Sequence, residues 1–322
     1  MRRHFRPLSL ALVGLLALLA TGCGGGGSSS GGSPPDGGRG AVVGVSLLTR
    51  THPFYQDLEA GLRATAEEKG FELIVQAGEF DVAKQKDQVQ EFIVRKVDAI
   101  IVSPCDSKSI GTTVQAANQA GIPVFTSDIA VLAPEAKVEC HVASDNVAGG
   151  RLAGKALADA LGGQGKLAII DHPEVESVIQ RVAGFEEEVA KHPGLSIVAK
   201  LPGKGVKDVA FRTAQDILQS HPDLDGIFGI NDDSALGALA AVERAGRGGR
   251  VTIVGFDAVP EARAAIAQGR LHADVIQQPK LIGQKTIEAI ADHLSGRPVP
   301  EKVLIPCDLF TRESGGASTQ GS

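Results

Sequence analysis

Short, almost wholly apolar segments recur along the chain and alternate with longer segments whose apolar residues have helical spacing. Val42–Leu47 is such an apolar run, and the next segment, Phe54–Lys69, has helical spacing and stops at Gly70. Unbroken apolar runs are typical of parallel strands that are buried on both faces. Because strand and helix alternate, the sequence predicts an α/β fold of doubly wound parallel sheets with right-handed crossovers.

The alternation continues through most of the chain and contains a faint internal repeat. Residues 41–75 and 166–198 share one order of strand, loop, helix, glycine and strand, which predicts one doubly wound unit used twice. A cleft between two such lobes would present the carboxyl ends of both sets of strands to one ligand. The further predicted strands are Leu73–Gln76, Ala99–Ser103, Val124–Ser127, Val138–Ala143, Leu167–Ile170, Ile197–Ala199, Gly226–Gly229, Val251–Phe256 and Ala273–Gln277.

The N-terminal segment has the features of a secretory signal. Three arginines precede an apolar run from residue 8 to residue 20, and small residues then lead to Cys23. The run is shorter than the roughly 20 residues of a transmembrane helix. Thr21-Gly22-Cys23 resembles the lipobox of bacterial lipoproteins, which predicts a signal peptide over 1–22 and lipidation of Cys23. Ordinary signal cleavage with an incidental cysteine is the alternative.

Two segments have compositions that cannot form a hydrophobic core. Residues 23–40 are almost entirely glycine, serine and proline after the cysteine, which predicts a flexible tether to the membrane. The last residues, 314–322, predict a second disordered tail. The domain-forming part of the chain is therefore expected between residues 41 and 313.

Charge and cysteine content exclude several classes of function. The net charge of −6 comes without a basic patch interleaved with aromatic residues, so we expect no nucleic-acid partner. Cys105, Cys140 and Cys307 remain after the lipobox and show no zinc spacing. Their odd number leaves at least one thiol free within one chain, while a single disulfide stays open. No catalytic constellation, metal site or cofactor is predicted.

Polar residues follow several predicted strands at the point where each strand should give way to a helix. Asn231 and Asp257 end two such strands, and Asp128 ends a third. Ligands of open parallel sheets bind at these carboxyl edges, and planar amide and carboxylate groups suit pairs of sugar hydroxyls. The alternatives are a helix N-cap at Asn231 and turn residues at Asp128 and Asp257.

Aromatic residues follow the first strand. His52-Pro53-Phe54-Tyr55 contains the only tyrosine of a chain that has no tryptophan. Aromatic faces stack on the C–H faces of sugar rings, and a neighbouring polar group fixes the orientation of the ligand. The sequence predicts ligand contacts by His52, Phe54 and Tyr55. A loop that only anchors its aromatic rings on the first helix is the alternative.

Four more residues are candidates, and three of them have a structural alternative. Ser103 ends the third strand, and Asp145 precedes a helix that it would also cap. Arg181 lies on a helix four residues before Phe185, where a surface arginine is the default. Gln277 closes a strand, where it would contact ligand or belong to a hinge.

The chain resembles the ribose-type periplasmic sugar-binding proteins over nearly all of residues 41–310. The resemblance implies two α/β lobes of the type I periplasmic binding protein fold, 41–144 with 278–307 and 145–277 with 308–313, joined by three crossings near Ser144, Gln277 and Cys307. It also implies that Arg181 donates paired hydrogen bonds to the sugar. The matching motifs are Pro53-Phe54-Tyr55, residues 117–123, Ala143-Ser144-Asp145-Asn146, Arg181 with Gly184-Phe185, Asn231-Asp232, Gly255-Phe256-Asp257 and Gln277.

The function implied by this resemblance is solute capture for an importer. The chain would be a monomeric lipoprotein at the periplasmic or outer face of a membrane, where its lobes close around a sugar or polyol. An ABC permease would then accept the closed form. The ribose binders have asparagine at the places of His52 and Ser103, arginine at Ile129 and a stacking phenylalanine near Gly205, so ribose itself is not expected.

Two other classes share this fold. Lactose-repressor-type regulators need an N-terminal DNA-reading helix-turn-helix, and a leader and a glycine tether occupy that place here. A signalling receptor would hand the same ligand-bound lobes to a membrane sensor, for example in response to a furanose autoinducer. The sequence does not separate this second class from a transport protein.

Overall fold

The computed structural model describes residues 40–317 and arranges them around two six-stranded sheets. The predictions for the signal peptide over 1–22, for lipidation of Cys23 and for the tether up to residue 39 lie outside these residues. The predicted α/β fold with two doubly wound, mainly parallel sheets is confirmed. Within residues 40–317, no helix combines the length and the apolar character needed to cross a bilayer.

The first sheet is parallel throughout and has the strand order β11-β5-β4-β3-β1-β2. Two helix pairs, α1 with α9 and α2 with α3, cover it. Phe92 and Phe125 are fully buried in this lobe. The elements are β1 Val42–Leu47, α1 Pro53–Lys69, β2 Glu72–Ala77, α2 Val82–Arg95, β3 Ala99–Val102, α3 Gly111–Gln119, β4 Val124–Ser127, β5 Cys140–Ser144, α9 Pro279–Leu294 and β11 Lys302–Ile305.

The second sheet has the order β12-β10-β9-β8-β6-β7, and only its edge strand β12 is antiparallel. Helices α4 and α5 pack together, as do α6 and α7, and the rings of Phe185 and Phe228 stack with centroids 4.6 Å apart. The elements are α4 Asn146–Ala160, β6 Gln164–Asp171, α5 Glu176–Val189, β7 Gly194–Pro202, α6 Lys207–Ser220, β8 Gly226–Gly229, α7 Asp232–Arg244, β9 Thr252–Asp257, α8 Pro260–Ala267, β10 Ala273–Ile276, β12 Asp308–Thr311 and α10 Arg312–Ala317.

The chain passes between the sheets after β5, after β10 and after β11. In each sheet the strand order reverses beside the first strand, between β1 and β3 in one and between β6 and β8 in the other. Ligands of doubly wound sheets bind at this reversal, outside the carboxyl ends of the strands. A ligand site is therefore expected at the loops after β1, β4, β6, β8 and β9.

The C-terminal segment departs from the prediction of a disordered tail over 314–322. Helix α10 continues to Ala317, so residues 314–317 are helical. The cause is a pair of reciprocal hydrogen bonds: the backbone N–H of Thr311 donates to Ser314 Oγ, and that of Ser314 donates to Thr311 Oγ1. Such a pair satisfies donors at a helix start. Residues 318–322 lie outside the described residues.

The described cysteines form no disulfide with one another, which answers the question that the sequence left open. Cys105 and Cys140 are buried, and Cys307 is partly buried. Burial raises the pKa of Cys105 to about 12 and that of Cys140 and of Cys307 to about 11. Because the thiolate is the reactive form, these thiols are poor nucleophiles.

Candidate functional site

A cavity lies between the carboxyl ends of the two sheets and takes its walls from both lobes. Its volume is about 50 Å³, which is below the roughly 300–1,000 Å³ of typical small-molecule sites. The residues that line it are Leu48, Thr49, His52, Phe54, Tyr55, Phe80, Asp128, Ile129, His172, Val175, Ser177, Val178, Arg181, Gly205, Ile230, Asn231, Asp257 and Gln277.

The structure brings most of the candidate residues to this cavity. The candidates in its lining are His52, Phe54, Tyr55, Asp128, Arg181, Asn231, Asp257 and Gln277. The first four come from loops and a helix of the first sheet, and the others come from the second lobe or from the crossing after β10. Residues up to 225 positions apart in sequence, such as His52 and Gln277, meet because both sheets present their strand ends to one cleft.

Tyr55 and Asp128 form a buried hydrogen-bonded pair on the first lobe. The phenol donates to Asp128 Oδ2 at 2.6 Å, and Asp128 Oδ1 is buried with no partner among the described residues. Burial raises the pKa of Asp128 to about 6, although the guanidinium of Arg181 and the bond from Tyr55 both lower it. Burial beside the same carboxyl group raises the pKa of Tyr55 well above its ordinary value. Oδ1 is therefore an acceptor without a donor among the described residues.

His52 caps helix α1 and presents its other ring nitrogen to the opposite lobe. Its Nδ1 accepts a hydrogen bond from the backbone N–H of Phe54 at 3.2 Å, so a neutral ring carries its proton on Nε2. That Nε2 is buried without a hydrogen-bond partner within residues 40–317 and lies 3.6 Å from Asp257 Oδ2. A hydroxyl between His52 and Asp257 would satisfy both groups.

Asp257 is held in an unusual backbone conformation by its neighbours. Its φ is 120°, and that of Ala258 is 56°, both in the region that favours glycine. Gln277 Nε2 donates to Asp257 Oδ1 at 2.6 Å, and Gln277 Oε1 accepts from Ser144 Oγ at 2.5 Å. Backbone strain of this kind persists where the surroundings over-determine it, often at functional sites. The network connects Asp257 to two of the crossings between the lobes.

Arg181 is almost fully buried on α5, so the default of a surface arginine is wrong here. Its Nε donates to Asn146 Oδ1 at 2.8 Å and its Nη1 donates to the carbonyl of Ile230 at 3.0 Å. The guanidinium carbon lies 4.0 Å from the ring centroid of Phe256. These contacts fix the plane of the group, and Nη2 makes no hydrogen bond to the rest of the described chain. A fixed guanidinium edge suits a polar ligand.

Asn231 caps helix α7 and also lines the cavity. Its Oδ1 accepts from the backbone N–H of Ser234 at 2.9 Å and so caps α7, while its Nδ2 donates to the carbonyl of Gly205 at 3.2 Å. The side chain nevertheless lines the cavity. The cap therefore positions an amide at the cavity wall.

Ser103 and Asp145 do not belong to the cavity lining. Ser103 is fully buried below it, and its hydroxyl donates to the carbonyl of Ser127 at 2.7 Å, which joins β3 to β4. Asp145 accepts from the backbone N–H of Ala148 at 3.0 Å and caps α4 at the first crossing. Asp145 therefore has the capping role that the sequence offered beside a ligand contact, and the hydroxyl of Ser103 bonds within the sheet.

Two aromatic residues of the cavity were not predicted. Phe80 follows β2 with φ at 64°, and His172 directly follows β6. Their ring centroids lie 6.3 Å apart across the cleft. Gly205 is next to this pair, because a Cβ added there would lie 3.4 Å from His172 Nδ1. His172 stands at a strand end like Asn231, a signal that was available, whereas nothing in the sequence marks the left-handed turn at Phe80.

The two lobes also touch beside the cavity. The backbone N–H of Ser107 donates to the carbonyl of Glu174 at 3.0 Å, and Ser107 Oγ accepts from the backbone N–H of Glu176, the first residue of α5, at 2.9 Å. These bonds join the loop after β3 to the loop after β6. They hold the cleft in the arrangement that encloses the cavity.

Comparison with known proteins gives one consistent result. The sequence model of the periplasmic binding protein domain matches residues 43–298. The ribose import binding protein of Bacillus subtilis is 35% identical over 272 residues, covering 84% of this chain and 87% of that protein. The D-apiose import binding protein of Paraburkholderia graminis is 31% identical over 277 residues, covering 84% and 88%. The solute binding protein of an ABC transporter from Bacillus halodurans, solved with bound myo-inositol, superposes with a TM-score of 0.80 at 30% identity, covering 88% of this chain and 99% of that one.

Proposed function

This chain belongs to the periplasmic binding protein domain family, and on that premise we propose that it captures a sugar or polyol between its lobes for an ABC import permease. The observation that carries the proposal is the cavity between the strand ends, where buried polar atoms lack partners among the described residues. Asp128 Oδ1 offers an acceptor and His52 Nε2 a donor. A ligand that carries several hydroxyl groups fits this mixture, because each hydroxyl both donates and accepts.

The chemistry of the walls favours a neutral ligand. The carboxyl groups of Asp128 and Asp257 face the guanidinium of Arg181, so an anionic sugar would meet opposing carboxylates. The rings of Phe54 and Tyr55, 5.1 Å apart and nearly perpendicular, provide apolar surface for the C–H face of a ring. The residues that we propose as ligand contacts are His52, Phe54, Tyr55, Asp128, Arg181, Asn231, Asp257 and Gln277.

Related proteins bind ribose, D-apiose and myo-inositol, and their names support a sugar or polyol here. Which one this chain selects depends on the residues that differ from the ribose binders. Ser103 does not line the cavity, so we propose that the selection depends on His52, Ile129 and the place of Gly205. Discrimination is largest where buried polar groups must find partners, and His52 is such a group.

The proposed moving units are 41–144 with 278–307 and 145–277 with 308–313. The division is supported by the strands of the two sheets, which fall on opposite sides of it. A ligand that touches both lobes favours the closed arrangement, because it gains contacts there that the open arrangement lacks. The permease would read this closed form of a monomer.

A thermal unfolding screen of the purified protein tests the function. We would use D-ribose, other pentoses, hexoses, polyols and myo-inositol, with Arg181→Ala as the variant that lacks the fixed guanidinium, after circular dichroism has shown that it is folded. A ligand at about a hundredfold excess over its Kd stabilises the folded state by about 2.7 kcal/mol. A rise in Tm for wild type that the variant lacks supports the proposal. No rise with any compound, or equal rises in both proteins, would contradict it.

We also propose that the chain is anchored by a lipid on Cys23 at the periplasmic or outer face of a membrane. The signal-like segment and the lipobox-like Thr21-Gly22-Cys23 support this. Cys23→Ser is expected to release the protein from the membrane fraction after export, with its ligand-induced rise in Tm unchanged. Cys105→Ser is the matched control and is expected to stay with the membrane. If the Cys23 variant remained membrane-bound, the anchor would lie elsewhere.

A further inference from the structure

Two buried carboxyl groups face each other behind the wall of the cavity. Asp232 lies in the first turn of α7 and Asp274 in the middle of β10, and both are fully buried. Asp232 Oδ2 accepts from the backbone N–H of Val259 at 2.6 Å, and Asp274 Oδ1 accepts from that of Ala258 at 3.2 Å. Each aspartate therefore uses one oxygen to hold the turn that follows Asp257.

The other oxygen of each aspartate has no donor. Asp232 Oδ1 and Asp274 Oδ2 are buried and lack hydrogen-bond partners among the described residues. Both point into the space that Gly255 leaves open, since a Cβ added there would lie 2.9 Å from Asp232 Oδ1 and 2.6 Å from Asp274 Oδ2. Two bare carboxylates so placed would repel each other strongly in a low dielectric. A single proton shared by the two oxygens removes the repulsion and gives each oxygen a hydrogen-bond partner.

We propose that Asp232 and Asp274 share one proton, and that this acid–carboxylate pair positions Asp257 by holding the backbone of Ala258 and Val259. Asp232 carries the proton and donates it to Asp274 Oδ2. The turn needs this support because Asp257 and Ala258 have φ values of 120° and 56°. Asp232 and Asp274 are positioning residues, which act on a ligand only through Asp257.

The charged groups around the pair are consistent with one retained proton. Burial and the neighbouring carboxyl group raise the pKa of Asp232, and burial raises that of Asp274 to about 7. Asp257 on β9 adds to both shifts. From α8, Arg263 Nε donates to the carbonyl of Ala258 at 2.6 Å, which holds the turn from its other side. Asp233, the next residue on α7, is farther toward the surface.

Asparagine substitutions distinguish a pair that shares a proton from a pair that only fills space. In Asp232→Asn or in Asp274→Asn, the amide oxygen still accepts from the backbone and the amide nitrogen replaces the shared proton as donor. In the double variant both amide oxygens stay on the backbone, so two NH₂ groups face each other. The shared-proton pair thus predicts two tolerated single variants and a defective double variant, although each substitution is nearly isosteric.

The first measurement is carbon NMR of the wild-type protein labelled at aspartate carboxyl carbons. We expect one carboxylic-acid signal to persist at pH 8, and we expect it to vanish in each single asparagine variant. Absence of this signal from wild type would overturn the proposal, and this readout needs no variant that folds poorly.

The second measurement is amide hydrogen exchange at Ala258 and Val259, together with the side-chain amide signal of Gln277, which donates to Asp257. The single variants should exchange at rates near wild type, and the double variant about tenfold faster, the factor expected for one lost hydrogen bond. The Gln277 signal should move only in the double variant. Equal behaviour of single and double variants would overturn the proposal. The link to sugar binding rests on the proposed function, but neither readout needs a sugar, so failure here would leave that function untouched.

Discussion

At the scale of single residues, Asp257 receives side-chain contacts from both lobes. Gln277 holds one of its oxygens and His52 approaches the other, while its backbone has a strained φ. Truncation of such a residue leaves buried polar partners unsatisfied. These contacts distinguish Asp257 from an ordinary turn residue.

We predict that Asp257→Ala weakens sugar binding by about 1–3 kcal/mol, because it leaves His52 and Gln277 without a partner in the closed cleft. Isothermal calorimetry with the sugar that gives the largest rise in Tm measures the effect. Asp216→Ala removes an exposed carboxylate on α6 and is the matched control. Normal affinity of a folded Asp257 variant would show that the ligand contacts lie elsewhere.

The raised pKa of Asp128 predicts that the stability of the fold depends on pH. Its pKa is raised to about 6 by burial, so the folded protein holds this proton more tightly than the unfolded chain, where an aspartate has a pKa of about 3.9. The stabilisation is present at low pH and is lost as the pH rises from about 4 through about 6. Urea unfolding should show that wild type loses up to about 3 kcal/mol relative to Asp128→Asn across this window.

The comparison with Asp128→Asn is necessary because burial raises the pKa of other carboxyl groups as well, among them Asp171 and Glu176. Their contributions are common to both proteins and cancel in the difference. Parallel stability curves for wild type and variant would mean that Asp128 titrates normally.

Strand-end reasoning found Asp128, Asn231, Asp257 and Gln277 because a parallel sheet fixes where its carboxyl ends point. It did not find Phe80, whose place depends on two successive left-handed residues, Glu79 and Phe80. It also put Ser103 in the site, although the hydroxyl turns back to β4. Chain position predicts which loop a residue occupies, but neighbouring donors and acceptors decide where its side chain points.

At the scale of elements, the contact between α4 and α5 holds Arg181 in place. A Cβ on Gly184 would lie 2.1 Å from the carbonyl oxygen of Val147, and one on Gly150 would lie 2.0 Å from that of Arg181. The two helices therefore approach backbone to backbone. Glycine is required at these two positions because the facing backbone leaves no room for a Cβ atom, and not because of the backbone angles.

Gly184→Ala is expected to destabilise the fold by about 1–3 kcal/mol, because the added methyl group forces α5 away from α4. Urea unfolding measures this loss. Gly248→Ala is the control, since the nearest atom to an added Cβ there is a side-chain carbon at 3.9 Å. If Gly184→Ala had the same free energy of unfolding as wild type, α5 would be able to move away from α4 without destabilising the fold.

The strands that sequence patterns found are those with several consecutive apolar residues. Val42–Leu47, Val124–Ser127 and Gly226–Gly229 have the predicted bounds. The edge strands β11 and β12 were missed; both are partly exposed, and each begins at a charged residue, Lys302 in one and Asp308 in the other. Their strand conformation comes from pairing with β5 and β10, which no local pattern encodes.

At the scale of the whole molecule, the bonds of Ser107 to α5 and its preceding loop tie one lobe to the other. In an open cleft the N–H of Glu176 would bond to water instead. On the proposed movement of the lobes, the contact therefore contributes to the closed arrangement alone.

Ser107→Ala is predicted to weaken sugar binding by about 0.5–1.5 kcal/mol, the net value of one hydrogen bond, without a change in ligand-free stability. Calorimetry gives the affinity, and small-angle X-ray scattering should show a less complete compaction at a given sugar concentration. Ser109→Ala, at an exposed position two residues away, is the control. A lower stability of the ligand-free protein would assign the Ser107 contact to both arrangements.

The placement of Tyr55 gives the protein a built-in optical reporter. It is the only tyrosine of a chain without tryptophan, so all intrinsic ultraviolet fluorescence of the folded protein beyond that of phenylalanine arises at the cavity. The phenol bonds to the carboxyl group of Asp128, and emission from a phenol depends on whether its hydroxyl donates to a carboxylate. A sugar that competes for that carboxylate therefore changes the brightness of one identified ring, and occupancy can be followed in real time without a dye or an added fluorophore.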